Sequence, residues 1–493
     1  MRMVRWMLLA GLVASSLFAP RPAQSQMPVV PDNLGPNASI ERLSHGEYLY
    51  RTIKDRTPRG SESFELIAHP DGTRTLIMWN DLFAKHGQIH AVLRVDARFR
   101  PLETQYVYWS DGRFKGAANF RLEGNTLAGT VRTPDGGLAT QRLTVPEAVS
   151  FATHPLAGDG WHAWHVESQQ PAAMVNFDAG PDLTMPAAAR LQPADWRRVR
   201  SEPIEVPAGR FDCEVYAGAG ATVWVTGPDR VLVKFEWPAL DLEYVLARFG
   251  TGRDRGAVSP AVTPLAAPSA NNSVLRWHEG EYSYRTIADG RERGWERFRH
   301  TVQADGSRTM LMWQGLRARS AQFTVLMRGE QSFRPVDAYA SYWNDGKYKG
   351  SVNLWLQGPQ LSLASHGAFG EWREETTVPE RVSMGTHPIA ADGWHLWELD
   401  APVSRARAFE LEATADLGKP IRGKWRDLPM ARVGVEKITV PAGEFETTHY
   451  RLGGTLDIWL YGEDRVLVRM RHEKADRDYV LVRYEEGGKS GQE

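Results

Sequence analysis

The sequence predicts an all-β, mainly antiparallel protein with little helix, built as a tandem duplication of one curved-sheet barrel or half-barrel unit. Three observations predict it. Apolar residues alternate over short runs, Asp-Gly pairs separate those runs, and the whole pattern occurs twice along the chain.

The alternation is clear in Gly46-Glu47-Tyr48-Leu49-Tyr50-Arg51-Thr52-Ile53. Extended backbone sends Tyr48, Tyr50 and Thr52 to one face and Leu49, Arg51 and Ile53 to the other. Asp71-Gly72, Asp111-Gly112, Asp135-Gly136 and Asp345-Gly346 lie between such runs. Glycine takes the positive φ of a tight hairpin turn, so neighbouring strands should run antiparallel. Roughly eight to eleven strands per unit are expected, curling around a core or cavity as lipocalin-like barrels do. One short helix is expected near Asp195 to Arg200.

Residues Gly46 to Ile53 reappear as Gly280-Glu281-Tyr282-Ser283-Tyr284-Arg285-Thr286-Ile287, 234 residues on. Arg74 to Trp79 match Arg308 to Trp313, Tyr108 to Gly116 match Tyr342 to Gly350, and Thr153-His154-Pro155 matches Thr386-His387-Pro388. The displacement stays within about a residue, so loop lengths as well as motifs are shared and both units should have one fold. The units are read as 40–250 and 274–486. A Pro/Ala-rich linker over 251–273 carries Pro260, Pro264 and Pro268, and a polar tail covers 487–493.

At the N-terminus, Arg2 and Arg5 precede an apolar run from Trp6 to Ala19, and Ala23-Gln24-Ser25 follows. That order predicts a signal peptide over 1–25, followed by a flexible segment over 26–39. Pro20, Arg21 and Pro22 break the run before it reaches membrane-spanning length. The mature chain is therefore expected to be periplasmic or secreted, with no transmembrane segment. The 59 basic and 60 acidic side chains leave a net charge of −1, so no global field favours nucleic acid. The single cysteine, Cys213, excludes a disulfide framework.

Val206-Pro207-Ala208-Gly209-Arg210-Phe211, followed by Val223-Trp224-Val225 and Asp229 to Lys234, has a second copy in Val440 to Phe445, Ile458-Trp459-Leu460 and Asp464 to Arg469. These segments, about the last fifty residues of each unit, resemble the C-terminal signature of bacterial periplasmic β-rich proteins of unknown function. Those proteins resemble in architecture the half-barrel lipoprotein carriers of the periplasm. The resemblance implies a curved sheet with a concave apolar face for acyl chains or similar ligands.

The most chemically suggestive residues are His154, Asp159 and His162, with their copies His387, Asp392 and His395. A carboxylate-oriented histidine works as a general base near neutral pH. The commoner reading of such a loop is turn chemistry with a core tryptophan. The spacing His-x4-Asp-x2-His matches no standard zinc or non-haem iron motif, so no metal is expected. Trp79, Trp109, Trp161, Trp224, Trp313, Trp343, Trp394 and Trp459 are candidate ligand-lining residues, although aromatics at strand spacing are more often core. Arg51 and Arg285 could bind an anionic head group or be solvated. Glu147 and Glu380 lack a second carboxylate at short spacing, and no nucleotide, P-loop, zincin or nucleophile-elbow motif is present. No cofactor is expected.

Three function classes follow, the first leading. One is a carrier of a hydrophobic small molecule or lipid. The second is a cofactor-independent isomerase, hydratase or hydrolase using the His/Asp loop. The third is an envelope scaffold. A shared loop in both units implies two sites per chain, unless the concave faces close on one ligand.

Overall fold

In the computed structural model the described residues are 36–83, 86–166, 172–177, 189–253, 273–396 and 403–488, with the side chains at 396 and 403–406 excepted. The expected leader, most of the linker and the last five residues lie outside them.

The alternation works as the sequence implies, with one addition. In the strand Arg74–Leu82, Leu76 and Met78 join an inner cluster with Tyr48, Phe64 and Leu93. Ile77 and Trp79 join an outer cluster with Ile67, Val92 and Val107. All nine residues are buried because both faces of the strand are covered.

Each repeat is built on one long, mainly antiparallel sheet that brings its own ends together in the middle, and the first adds a three-stranded sheet of Val149–Ala152, Ala172–Phe177 and Ala189–Ala194. In the first, the last strand, Leu242–Thr251, pairs with the first, Arg42–Arg51. From that seam the sheet runs out to Arg197–Val206 on one side and Leu138–Thr144 on the other, thirteen strands in all. In the second, Arg477–Gly488 pairs with Val274–Arg285 inside a fifteen-stranded sheet. That strand enters the expected polar tail by two residues.

Bulges occur at matching places, between Glu47 and Tyr48 and between Glu281 and Tyr282, and again between Tyr108 and Trp109 and between Tyr342 and Trp343. Bulges bend strands and strengthen twist, which curls both sheets alike. A 3₁₀ segment, Leu156–His165 in the first repeat and Ala390–Leu396 in the second, packs into the concavity.

Two expectations are corrected. The described residues hold sixteen strands in the first repeat and fifteen in the second, more than expected, because short strands such as Val149–Ala152 and Ala172–Phe177 occupy stretches that read as loop. No helix forms near Asp195. Ala189–Ala194 and Arg197–Val206 are strands, and the second is recruited by pairing with Gly209–Gly218 across the Pro207-Ala208 turn.

The repeats pack through their convex faces. Trp79 and Trp313, equivalent positions, meet each other at 5.7 Å, as expected on a pseudo-two-fold axis. Around them the contacts come in exchanged pairs. Ser39 donates to Ser320 O and accepts from Gly346 N, while Ser273 donates to His86 O and accepts from Gly112 N. Arg94 pairs with Glu103, and its counterpart Arg328 pairs with Asp337. Across the junction, Glu103 takes His366 at 3.0 Å, and Asp337 takes Arg132 at 3.2 Å. Arg94 lies 3.7 Å over the Tyr348 ring, as Arg328 lies 4.0 Å over Phe114. The two concave faces therefore remain separate and do not close on a shared ligand.

Candidate functional site

The Thr153–His162 loop is set by a carboxyl group that pattern reading missed. Glu62, buried on the inner face, accepts hydrogen bonds from Leu156 N at 2.6 Å and Ala157 N at 2.7 Å, where the 3₁₀ segment begins. Asn80 Nδ2 adds a third at 3.2 Å. In the second repeat Glu296 accepts from Ile389 N and Ala390 N, both at 2.8 Å, and from the Tyr284 hydroxyl. These groups satisfy N–H donors that would otherwise be orphaned. The signal was the shared displacement: Glu62 and Glu296 each stand two residues before a matched phenylalanine, Phe64 and Phe298.

Burial pushes each of these carboxyls up to about 8, against the pull of the N–H donors. With the folded value above the unfolded one, the stabilising contribution is complete below about pH 4.5 and is lost as pH rises toward 8. The unfolding free energy read by urea titration is therefore expected to fall across that window by an amount on the order of 3 kcal/mol for each carboxyl, and the Glu62→Gln/Glu296→Gln variant should flatten the dependence. A wild-type midpoint constant from pH 5 to 8 would contradict this.

The predicted His/Asp sets are brought together only in part. Asp159 pairs with His162 at 2.9 Å, and Asp392 with His395 at 3.3 Å, each within one turn of the 3₁₀ segment. His387 instead faces the barrel wall, its Nδ1 3.1 Å from Gln314 Oε1 and its ring stacked at 4.2 Å on Phe323. Desolvation pushes this histidine down to about 3, so its imidazole is neutral. His154 and His387 both adopt left-handed backbone, φ 73° and 82°, which turns the chain from the short strand into the 3₁₀ segment.

A serine joins the second set. Ser383 Oγ is 2.5 Å from His395 Nδ1, which gives a Ser–His–Asp chain of contacts. In the first repeat the equivalent Ser150 Oγ and His162 Nδ1 are buried without a hydrogen-bond partner. Ser383 is 2 % exposed, so a substrate carbonyl has no approach to its hydroxyl in this conformation. The chain of contacts ties the 3₁₀ segment to the strand Val382–Gly385.

Among the described residues the tryptophans take three roles. Trp161, bonded through Nε1 to Asp229 O at 3.0 Å, and Trp394 are buried plugs of the inner cores. Trp79, Trp109, Trp313 and Trp343 lie in or beside the convex interface, Trp343 stacked on His69 at 3.7 Å. Trp224 and Trp459 donate to Glu202 at 2.7 Å and Glu436 at 2.6 Å. The alternation predicts that each tryptophan has a face, and the packing decides what covers it. Arg51 pairs with Glu243 at 2.6 Å, and Arg285 donates to Ser283 Oγ at 3.0 Å; both are half-buried and face away from the barrel interior, beside Tyr50 and Tyr284.

A groove of about 520 Å³ opens on the hairpin Arg197–Val206/Gly209–Gly218 and the adjoining strand Ala221–Thr226 of the first repeat. Its lining includes Ser201, Asp212, Glu214, Tyr216, Val225 and Arg230. A smaller cleft of about 300 Å³ lies between the repeats at Arg132, Arg328 and Arg334, whose guanidinium groups are occupied by Asp337, Glu330 and backbone carbonyls. Among the described residues no cluster of three or more His, Cys, Asp or Glu side chains could hold a metal.

The family model of the OAA-family lectin sugar binding domain matches residues 81–145, the strands from Gly87–Val95 through Leu138–Thr144. No curated protein matches the chain. Among solved structures, similarity is found to a protein from Brucella abortus described as β-barrel-like and of a domain of unknown function, DUF1849. It is 8 % identical, with 43 % of this chain and 98 % of that chain covered and a TM-score of 0.31. Transferrin binding protein B from serogroup B Neisseria meningitidis is 10 % identical, with 66 % of this chain and 73 % of that chain covered and a TM-score of 0.09. The chain is an all-β protein of large, mainly antiparallel sheets.

Proposed function

We propose that this is an exported, non-catalytic binding protein, acting in the periplasm or outside the cell, which takes a polar, hydroxyl-rich ligand of the saccharide class at its surface. The observation that carries this reading is that both barrel interiors are filled by the chain's own side chains. Trp161, Phe151 and Phe177 pack inside the first, and Trp394, Phe333 and Phe409 inside the second.

A hydrophobic small molecule or lipid would have to expel those rings, each contributing about 1.5–3 kcal/mol of buried apolar area. A hydrolase or isomerase would have to expose Ser383 and His395, which the core encloses. The groove of the first repeat, by contrast, is open and mixes carboxylates, hydroxyls and an arginine. The lectin sugar-binding match over 81–145 supports the same ligand class, although its strands lie on a different part of the first repeat.

The test uses the full mature chain purified gently from its own compartment. Native mass spectrometry with organic extraction should find no stoichiometric lipid, and immobilised neutral oligosaccharides should retain the protein. One lipid per barrel, lost on extraction, would overturn this reading and restore the carrier.

A further inference from the structure

We infer that the groove of the first repeat is the ligand site, that it takes a neutral saccharide, and that the chain carries one such site. This rests on the saccharide reading above and adds to it a location and a stoichiometry.

The groove is the concave face of the sheet continued past its plug. Glu214 stands opposite Ser201 on one neighbouring strand and Val225 on the other, and Tyr216 stands opposite Val223. Cross-strand partners share a face, and Val223 belongs to the inner core. So Ser201, Glu214, Tyr216 and Val225 line the same side that, farther in, packs on the 3₁₀ segment. Arg230 joins the two regions. Its Nε donates to Gly160 O of that segment at 3.2 Å, and its guanidinium lies 4.9 Å over the Tyr216 ring. Its Nη2 is buried and makes no hydrogen bond. A guanidinium N–H without an acceptor at the edge of an open groove suits an incoming oxygen.

Acceptors stand nearby. Glu214 is held by Arg198 and by Ser201 Oγ at 2.8 Å, and these bonds keep its carboxyl below the usual range, so it is ionised at neutral pH. Asp212 is exposed beside it. The groove's lining holds three carboxylates, Glu202, Asp212 and Glu214, and one guanidinium, Arg230, while Arg198 and Arg200 beside it pair with Glu214 and Glu202. With carboxylates partly neutralised by neighbouring arginines, the groove disfavours a strongly anionic ligand and suits one that both donates and accepts. Its volume of about 520 Å³ falls within the usual range for small-ligand sites.

The second repeat lacks the set. Where the first has Ser201 and Glu214 opposite each other, the second has Val435 and Thr448. Pro203 is replaced by Lys437, and Asp212 by Glu446. Tyr450 and Arg465 remain, but the paired carboxylate and hydroxyl do not. One site per chain follows, in place of the two that the shared loops imply.

The experiment is titration calorimetry of the full mature chain with maltotriose, mannotriose and chitotriose. The expected result is binding of at least one of them with a stoichiometry near one, weakened at least tenfold by Glu214→Ala and by Arg230→Gln. Asp212→Ala, at an exposed position, serves as the groove variant least able to disturb folding, and should weaken binding severalfold. Arg142→Ala and Thr140→Ala, exposed positions within the lectin-matching segment, should leave binding unchanged. Binding that survives all three groove variants but falls with Arg142→Ala or Thr140→Ala, or a stoichiometry near two, would overturn the location while leaving the saccharide reading standing. No binding of any of the three sugars by the wild type would overturn both.

Discussion

Replacing Glu103 by leucine is expected to destabilise the protein by about 3–5 kcal/mol, read as a lowered urea midpoint at neutral pH. Glu103 is buried, and its carboxylate gathers Arg94 from its own repeat with Tyr339, Tyr348, Ser351 and His366 from the other. Removing the carboxylate leaves the Arg94 charge and several hydroxyl donors buried without an acceptor. The cost is therefore mainly that of uncompensated polar groups.

The pH dependence has a definite sign. Desolvation pushes the Glu103 carboxyl up, but Arg94 and His366 outweigh it and hold it well below the usual carboxylate range. A depressed folded value means that the contribution is fully present above about pH 4.5 and is lost as pH falls further. The difference between wild type and Glu103→Leu should hold steady from pH 7 to about 5 and shrink in stronger acid. Adding Arg94→Leu should recover part of the loss, because an apolar pair replaces a broken ion pair. A Glu103→Leu unfolding free energy within about 0.5 kcal/mol of wild type, the size of an ordinary surface change, would refute the role.

Trp79→Ala and Trp313→Ala are each expected to cost about 3–5 kcal/mol, from lost apolar burial and the cavity left behind. Both rings are nearly fully buried and touch across the pseudo-two-fold axis. The first truncation opens the space against which the second ring packs, so the double variant should lose less than the sum of the two. Differential scanning calorimetry checks this, with oligosaccharide titration as the contrast. Stability should fall while affinity for any bound sugar stays near wild type. Weakened binding at unchanged melting temperature would return these tryptophans to a ligand pocket.

The candidate site was legible only in pieces. Asp159 and His162 were visible as a repeated pair because their bond spans one turn of chain. Ser383, Glu62 and Glu296 were not, since each meets the 3₁₀ segment from a strand distant in sequence or from an uninformative Val-Ser pair. The groove was hidden for a different reason. Ser201 and Glu214 lie on strands whose pairing is set by the Pro207-Ala208 turn, and the first of these strands was expected to begin as helix.

Local chemistry was enough for the all-β class, the hairpins at Asp111-Gly112 and Asp345-Gly346 and the repeated unit, because a period of two and a positive φ are properties of neighbouring residues. Alternation also separates Leu76 and Met78 from Ile77 and Trp79 without further information. It assigns no cover to either face. That Thr75, Gln88, Arg94 and Glu103, polar residues on the side normally left to water, are buried was decided by the second repeat packing against them. That contact depends on how two curved surfaces, joined by residues more than two hundred positions apart, fit around one axis, and no local period encodes such a fit.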